Sequence, residues 1–179
     1  MAGMLKGKTA LVTGGASGIG EAICRRLSQE GAWVAVADLN ETKGVKLARE
    51  LGKGSLFVKL DVTQEADWAA AIETVTSQFG GLDILVNNAG MMKPGTIEDA
   101  SLADWRAAFT VNGEGVFLGC KAAIAAGADG LLRIEFSEAY KDLAVGTSEG
   151  VWTSGTLTFD VSAVPEPASA VLSLLGLGL

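Results

Sequence analysis

Short apolar runs alternate with amphipathic stretches along the first two thirds of the chain. The apolar runs predict β-strands over residues 4–14, 33–38, 55–62 and 82–90. Apolar residues at helical spacing predict helices over residues 19–30, 40–51, 64–79 and 111–126. The first helix would pack through Ile19, Ile23 and Leu27. Because apolar strands separated by helices are typical of a parallel sheet covered on both faces, we predict an α/β fold of the doubly wound Rossmann type.

From residue 127 onward the pattern changes. Apolar runs predict strands over residues 131–136 and 151–161, separated by a polar stretch rich in Ser, Glu and Gly. We therefore predict a Rossmann domain at residues 1–126, truncated, followed by an atypical β-rich segment at residues 127–179. In the alternative, both parts form one domain. Residues 131–136 would then add a fifth parallel strand beside residues 82–86, and residues 156–164 a sixth.

Composition narrows the class of protein. Hydrophobic residues make up 49% of the 179 residues and 24 are glycine, which is typical of a globular chain with many turns. The formal charge of −7 argues against binding to a nucleic acid, which requires a basic surface. The sequence has no histidine. That absence excludes Ser-His-Asp and Cys-His catalysis and histidine-based metal sites, and we predict no metal.

The cysteines and the N-terminus predict a cytoplasmic location. Cys24 and Cys120 form no CxxC motif and each falls on a predicted helix face, so we expect buried free thiols in a reducing compartment. The apolar run before the first glycines is shorter than the core of about 7–15 residues that a secretory signal needs.

The sequence TGGASGIG, at residues 13–20, lies between a predicted strand and a predicted helix. The first glycine would permit a tight turn, the second would let the backbone approach a phosphate, and the third would allow close helix–strand packing. The N-terminus of the helix supplies N–H groups and a positive dipole end. We therefore expect this loop to bind a dinucleotide pyrophosphate, through Gly14, Ser17, Gly18, Ile19 and Gly20.

Asp38 ends the second predicted strand, 18 residues after Gly20. This offset is close to the spacing of about 20 residues expected for a carboxylate that binds the adenosine ribose. An acid there accepts hydrogen bonds from the ribose hydroxyls and repels a 2′-phosphate. Asp38 therefore favours NAD over NADP, although it would also serve simply as a loop cap.

Taken together, these motifs resemble the short-chain dehydrogenase/reductase family. The resemblance rests on TGGASGIG, Asp38, "DV" at residues 61–62, "NNAG" at residues 87–90 and "VNGEGVFLG" at residues 111–119. It covers about two thirds of the chain and implies NAD as cofactor. It also implies that Asp61 and Val62 flank the adenine ring. Three further residues would support the central strand and line the cofactor cleft, namely Asn88, Ala89 and Gly90.

The resemblance is incomplete where the family performs proton transfer. Family members use a Tyr-x-x-x-Lys pair, in which the lysine lowers the pKa of the tyrosine. Here Tyr140 is followed four residues later by Ala144, and the last lysine is the adjacent Lys141, which would point about 100° away on a helix. Asn112 would hold a water of the proton relay by resemblance, or would simply interrupt a helix.

Ser137 stands where the family's serine is expected, 25 residues after Asn112. It is the second candidate catalytic residue, although without the Tyr–Lys pair its position is more simply read as coincidence.

The end of the chain resembles a PEP-CTERM sorting tail. Val164, Pro165, Glu166 and Pro167 are followed by twelve uncharged residues. Such tails continue into a membrane span of about 20 residues and a basic cluster. These twelve residues are too few to span a bilayer and carry no Arg or Lys. The resemblance is therefore to a truncated tail, and membrane attachment is not expected.

Three functions are compatible with these observations. The first is an NAD(H)-binding protein with little or no hydride transfer, and the second is an active reductase of small alcohols or carbonyls that uses an atypical acid such as Tyr140. The third is a non-enzymatic, chimeric or surface-sorted protein with a vestigial Rossmann half. Exposed apolar residues near the C-terminus would also promote homo-oligomers.

Overall fold

The computed structural model of the protein describes residues 3–127 and the backbone of residues 131–133. Five strands alternate with helices along the chain. The strands are β1 Thr9–Thr13, β2 Trp33–Asp38, β3 Ser55–Lys59, β4 Ile84–Val86 and β5 Leu131–Arg133. The helices are α1 Gly18–Gln29, α2 Glu41–Leu51, α3 Glu65–Phe79, α4 Leu102–Phe109 and α5 Gly115–Ala125, with a π-helix at Thr110–Glu114.

All five strands are parallel and lie in the order β3-β2-β1-β4-β5. The chain builds one side of the sheet with β2 and β3, then returns to pair β4 with the other edge of β1. The point where the strand order reverses lies between β1 and β4, and in open α/β sheets ligands bind outside the carboxyl ends of the strands at this point. The predicted doubly wound α/β fold is confirmed.

Side chains of the central strands alternate between two cores. Leu11, Ala35 and Ala37 face α3 and α5, in a core that contains Trp68. Val12 and its β2 neighbours Val34 and Val36 face α1 and α2, in a core that contains Cys24. Burial on both faces explains why β1 reads as a continuous apolar run without polar alternation.

Helix α5 approaches the sheet through a stripe of small residues. Gly115, Gly119 and Ala123 recur every four residues and are the buried positions of this helix. A Cβ on Gly119 would lie 2.5 Å from Oδ1 of Asn87 and 2.7 Å from the Trp68 ring. Since real side chains do not tolerate such distances, glycine is required at this contact.

Three strands have bounds that differ from those predicted. β1 begins at Thr9 and not at residue 4, because residues 4–7 form a turn in which Gly7 has a φ of +80°. β3 ends at Lys59 and not at residue 62, because Asp61 accepts hydrogen bonds from the N–H and hydroxyl of Thr63 and closes a turn there. β4 is confined to Ile84–Val86, after which the chain leaves the sheet.

The helices after β4 differ from the prediction in two respects. Helix α4 was missed, although Ser101 caps it by accepting a hydrogen bond from the N–H of Asp104. The helix predicted over residues 111–126 is a π-helix followed by α5. Asn112 lies in the π-helix, and single π-turns are frequent at functional sites.

The two cysteines differ in burial. Cys24 is fully buried, and burial raises the pKa of its thiol to about 12. Cys120 is half-buried, so the prediction of a buried thiol is wrong in degree for this residue. The buried stripe of α5 consists of Gly115, Gly119 and Ala123, and Cys120 lies at the edge of that stripe, partly open to solvent. Both are free thiols.

Among residues 3–127 and 131–133, no helix is long and apolar enough to cross a membrane. Leu131–Arg133, within the strand expected at residues 131–136, forms a strand that pairs in parallel with β4. The strand predicted at residues 151–161, Ser137, Tyr140 and the tail from Val164 lie outside the described residues.

Candidate cofactor site

The glycine loop follows β1 and opens α1. Gly14 and Gly18 have φ values of +61° and +54°, which L side chains rarely adopt. A Cβ on Gly20 would lie 2.2 Å from the carbonyl oxygen of Gly14, so α1 can approach the loop only because residue 20 is glycine. Gly14 thus forms a turn and Gly20 a close contact, while the approach of a phosphate at Gly18 stays a prediction.

The open side of the loop is formed by exposed residues. Ser17, Gly18 and Ile19 are exposed, and a Cβ on Gly18 would meet nothing within 4 Å. Ile19 is 47% exposed, so its predicted place on the packed face of α1 is wrong. The buried positions of the helix are Gly20 and Cys24, because the close contact at Gly20 turns that side toward the sheet.

Thr13 joins the ends of β1 and β4. Its hydroxyl donates to the carbonyl of Val86 at 3.2 Å and accepts hydrogen bonds from the N–H groups of Asn88 and Ala89, each at 3.0 Å. The Asn88 carboxamide donates to the carbonyl oxygens of Thr13 at 2.9 Å and Gly14 at 3.3 Å. Thr13 was absent from the predicted site residues, although its position directly before Gly14 is the signal that could have identified it.

Asp38, at the end of β2, is tied to the glycine loop. One carboxylate oxygen accepts from the N–H of Ala16 at 2.9 Å, and the other accepts from the N–H of Asn40 at 2.8 Å. Asp38 is half-buried, and each oxygen retains a lone pair for a further donor. It therefore caps a loop, as the simpler interpretation expects, and also presents acceptors beside the glycines.

Asp61 and Val62 follow β3 at the same edge of the sheet. The N–H of Leu60 donates to the carbonyl of Asp38 at 3.2 Å, which brings this segment next to the end of β2. The N–H of Asp61 donates to the carboxylate of Asp67, and the carbonyl of Val62 accepts from the Trp68 indole. The segment is therefore held by the first turn of α3.

Asn112 faces the chain that follows NNAG. Its carboxamide accepts from the N–H of Met91 and donates to the carbonyl of Met91, both at 2.8 Å. A Cβ on Gly90 would lie 3.5 Å from Oδ1 of Asn112. The π-helix thus fixes residues 90–91 beside the carboxyl end of β4, and the expected role of Asn112 in a proton relay stays a prediction.

These contacts join the predicted site residues at one edge of the sheet. Asp38 contacts the glycine loop through Ala16, the loop contacts NNAG at Gly14 and Ala89, and Gly90 approaches Asn112. Ser137 is the predicted site residue that lies outside the described residues. The assembled edge combines exposed backbone of the glycine loop with the carboxylate of Asp38, an arrangement that can bind a phosphorylated nucleotide.

Known proteins match this region of the chain. A family model described as short chain dehydrogenase matches residues 8–130. The 3-beta-hydroxysteroid dehydrogenase of Comamonas testosteroni is 48% identical over 126 residues, which are 70% of this chain and 50% of that protein. The trans-4-hydroxycyclohexanecarboxylate dehydrogenase of Sinomonas cyclohexanicum is 42% identical over 128 residues, covering 66% of this chain and 49% of that protein.

A solved structure agrees with these matches. The 3-ketoacyl-(acyl-carrier-protein) reductase from Brucella melitensis, complexed with NADH, superposes with a TM-score of 0.66 and 39% sequence identity. The superposition covers 68% of this chain and 50% of that one. The fold and the arrangement of the glycine loop define an α/β protein of the Rossmann class. The chain belongs to the short chain dehydrogenase family, and it spans about half the length of these relatives.

Proposed function

We propose that this chain binds NAD(H) and provides the cofactor half of hydride transfer between nicotinamide and an alcohol or carbonyl substrate. The observation that carries the proposal is the contact between Asp38 and the glycine loop, through the N–H of Ala16. This contact brings the carboxylate expected to bind the ribose next to the loop expected to bind the pyrophosphate, which supports the proposal. The solved relative complexed with NADH has the same fold, which supports the choice of cofactor.

The N-terminus of α1 supports binding of the pyrophosphate. Helix α1 begins at Gly18, and its N-cap Ser17 makes no side-chain capping bond. The first N–H groups of a helix have no intrahelical partner, so an uncapped end offers them to an anion. In this proposal the pyrophosphate is bound mainly by the backbone of Gly14, Ser17, Gly18, Ile19 and Gly20. Binding through the backbone does not require the Ile19 side chain, which is exposed.

The charge of Asp38 would select NAD over NADP. Arg25 lines the groove that begins at Ala16 and Ser17, but it is paired with the carboxylates of Glu21 and Glu50 at 2.7 and 2.6 Å. It is therefore neutralised as a partner for a 2′-phosphate. Lys43 lines the same groove, and its positive charge would attract a 2′-phosphate. In this proposal the preference for NAD over NADP therefore comes from repulsion of that phosphate by Asp38.

Titration with NADH and NADPH tests this part of the proposal. We expect the unmodified chain to bind NADH at least about tenfold more tightly than NADPH. Asp38→Ala should weaken NADH binding by about tenfold to a hundredfold, because hydrogen bonds to a charged group are lost, and should narrow the preference over NADPH. Glu73→Ala, which removes an exposed carboxylate on α3, is the matched control and should change neither constant. NADH binding that survives Asp38→Ala and Gly14→Trp unchanged would refute the assignment.

We propose that hydride transfer by these 179 residues is weak or absent. The sequence places Ala144 four residues after Tyr140, where the family has lysine, and no other tyrosine is present. Without the lysine nothing in this motif lowers the pKa of the tyrosine toward neutrality. The catalytic role of Asn112 and Ser137 would then be vestigial.

A substrate panel separates weak activity from none. Oxidation of cyclic secondary alcohols, including a 3-hydroxysteroid, would be followed as NADH formation, with enzyme-free and Gly14→Trp controls. We expect no turnover above the controls. Turnover that is abolished by Tyr140→Phe would instead support the atypical reductase, with Tyr140 as its acid.

The tail from Val164 to Pro167 favours a second candidate, a chimeric protein with a sorting segment and a vestigial Rossmann half. It requires the protein to fractionate with membrane or envelope and to lose this localisation when residues 164–179 are deleted. An unchanged fractionation after the deletion would leave the cofactor-binding function as the better account.

A further inference from the structure

Trp68 links the core beneath the sheet to the backbone of the candidate cofactor site. The residue lies in the first turn of α3 and is 1% exposed. Its indole Nε1–H donates to the carbonyl oxygen of Val62 at 2.9 Å. Val62 belongs to the pair of residues that the family resemblance places at the adenine ring, so a core side chain reaches the backbone of the candidate cofactor site.

The Asp61–Val62 segment is held from several directions. The N–H of Asp61 donates to Oδ2 of Asp67, and Oδ1 of Asp61 accepts from both the N–H and the hydroxyl of Thr63. A Cβ on Gly115 would lie 2.9 Å from Cγ2 of Val62, so α5 packs directly on this side chain. The bond from Trp68 orients the Val62 carbonyl, and the same peptide group carries the N–H of Thr63 that donates to Oδ1 of Asp61.

Orientation of this peptide affects which groups remain available to a ligand. Oδ1 of Asp61 is occupied by Thr63, which leaves Oδ2 as an acceptor for an amino group. Within the described part of the chain, no acceptor bonds the N–H of Val62. One acceptor and one donor on adjacent residues are complementary to the edge of adenine that carries its amino group and a ring nitrogen.

We infer that Trp68 is a positioning residue for the adenine end of the cofactor, acting through the peptide group that joins Val62 to Thr63. This inference rests on the proposed NAD(H)-binding function. The Trp68 ring packs against Gly119 in the core that also contains Leu11, whereas its N–H orients the Val62 carbonyl. Loss of the N–H leaves that carbonyl without its partner, and the peptide that joins Val62 to Thr63 can then rotate. The N–H of Thr63 would no longer hold Oδ1 of Asp61, so Oδ2 would lose the direction that the adenine amino group requires.

The experiment compares reduced NAD with its analogue in which hypoxanthine replaces adenine. The analogue keeps the pyrophosphate, both riboses and the nicotinamide, but has an oxygen where adenine has its amino group. Trp68→Phe removes the N–H and keeps an aromatic ring. Trp105→Phe is the matched control, because Trp105 is 63% exposed on α4.

We expect Trp68→Phe to weaken NADH binding by about tenfold, the usual consequence of losing a hydrogen bond of this kind. Binding of the hypoxanthine analogue should weaken by less than about threefold, so that the preference for adenine falls. A general loosening of the fold would weaken both ligands equally and leave the preference unchanged, and that result would overturn the inference. Trp105→Phe should leave both constants unchanged.

A second variant keeps the experiment decisive if phenylalanine is too small for the core. Replacement of Trp68 by 3-benzothienylalanine retains the bicyclic shape and substitutes sulfur for the N–H. The same selective loss of NADH binding is expected, and an unchanged adenine preference in this variant would refute the role of the N–H. If the unmodified chain binds neither dinucleotide, the proposed function itself fails. Retained NADH binding with an unaltered preference in both variants refutes the positioning role alone.

Discussion

The glycine-loop region, residues 9–38, and the helices α4 and α5 are both rich in apolar residues but use them differently. Every residue of β1 is buried, and the turn after it depends on backbone contacts that exclude a Cβ. Every residue of α4 is exposed or half-buried. Five large apolar side chains on this surface are more than half exposed, namely Leu102, Trp105, Phe109, Phe117 and Ile124.

The comparison teaches that apolar content alone does not locate the residues on which the fold depends. Helix α5 shows both behaviours, since its buried stripe consists of Gly115, Gly119 and Ala123 while Phe117 and Ile124 face outward. Small residues at close backbone contacts are therefore expected to tolerate substitution less than large residues on the outer surface.

Gly20→Ala should have the largest effect. The added Cβ would lie 2.2 Å from the Gly14 oxygen and 2.6 Å from Nδ2 of Asn88, so the loop and α1 would have to separate. We expect a loss of about 3 kcal/mol in the free energy of unfolding, measured by urea denaturation, together with loss of NADH binding. Gly81→Ala is the control, because its Cβ would meet nothing within 4 Å and its φ is not positive. Equal stability of the two variants would contradict the close contact.

The buried Cys24 thiol should give an intermediate, pH-dependent effect. Burial raises the pKa of this thiol from an ordinary 9.0 to about 12. Between these values the unfolded chain loses its proton while the folded chain keeps it. The contribution of the thiol is therefore complete below about pH 9 and is lost as pH rises toward 12.

Cys24→Ala removes this titration. Between pH 9 and 11, its free energy of unfolding should fall less steeply than that of the unmodified chain, by up to about 1.4 kcal/mol for each pH unit. Cys120→Ala should change the slope less, because that thiol is only half-buried. Identical slopes for Cys24→Ala and the unmodified chain would show that Cys24 is not buried in solution.

Trp105→Ala should have the smallest effect. Trp105 is 63% exposed, and exposed positions away from caps and close contacts usually change stability by less than about 0.5 kcal/mol. Urea denaturation over a range of protein concentrations measures it. A loss above about 1 kcal/mol that grows with concentration would show instead that a second copy covers this surface, which would establish the homo-oligomer expected from the sequence.

Much of the fold was predictable because the strands are short, apolar and separated by helices of clear periodicity. The succession of β1 to β4 along the chain agrees with the expected pattern. The helix predicted over residues 40–51 is α2, and Asn40 caps it by accepting a hydrogen bond from the N–H of Lys43. Helix α4 was missed since its exposed apolar residues follow no core-facing stripe. The end of β3 was misplaced because a side-chain turn at Asp61 interrupts an apolar run.

The sequence by itself determined the family, the glycine loop and the carboxylate at Asp38, because each depends on residue type at a fixed spacing. The tertiary structure alone decided which groups meet. Thr13 bridges β1 and β4, Ala16 donates to Asp38, and Trp68 reaches the carbonyl of Val62. Thr13 and Val86, and Ala16 and Asp38, are distant along the chain. Trp68 is only six residues from Val62, but it reaches this carbonyl from the first turn of α3. The formation of these contacts depends on strand order and on how closely each helix packs, which no local pattern encodes.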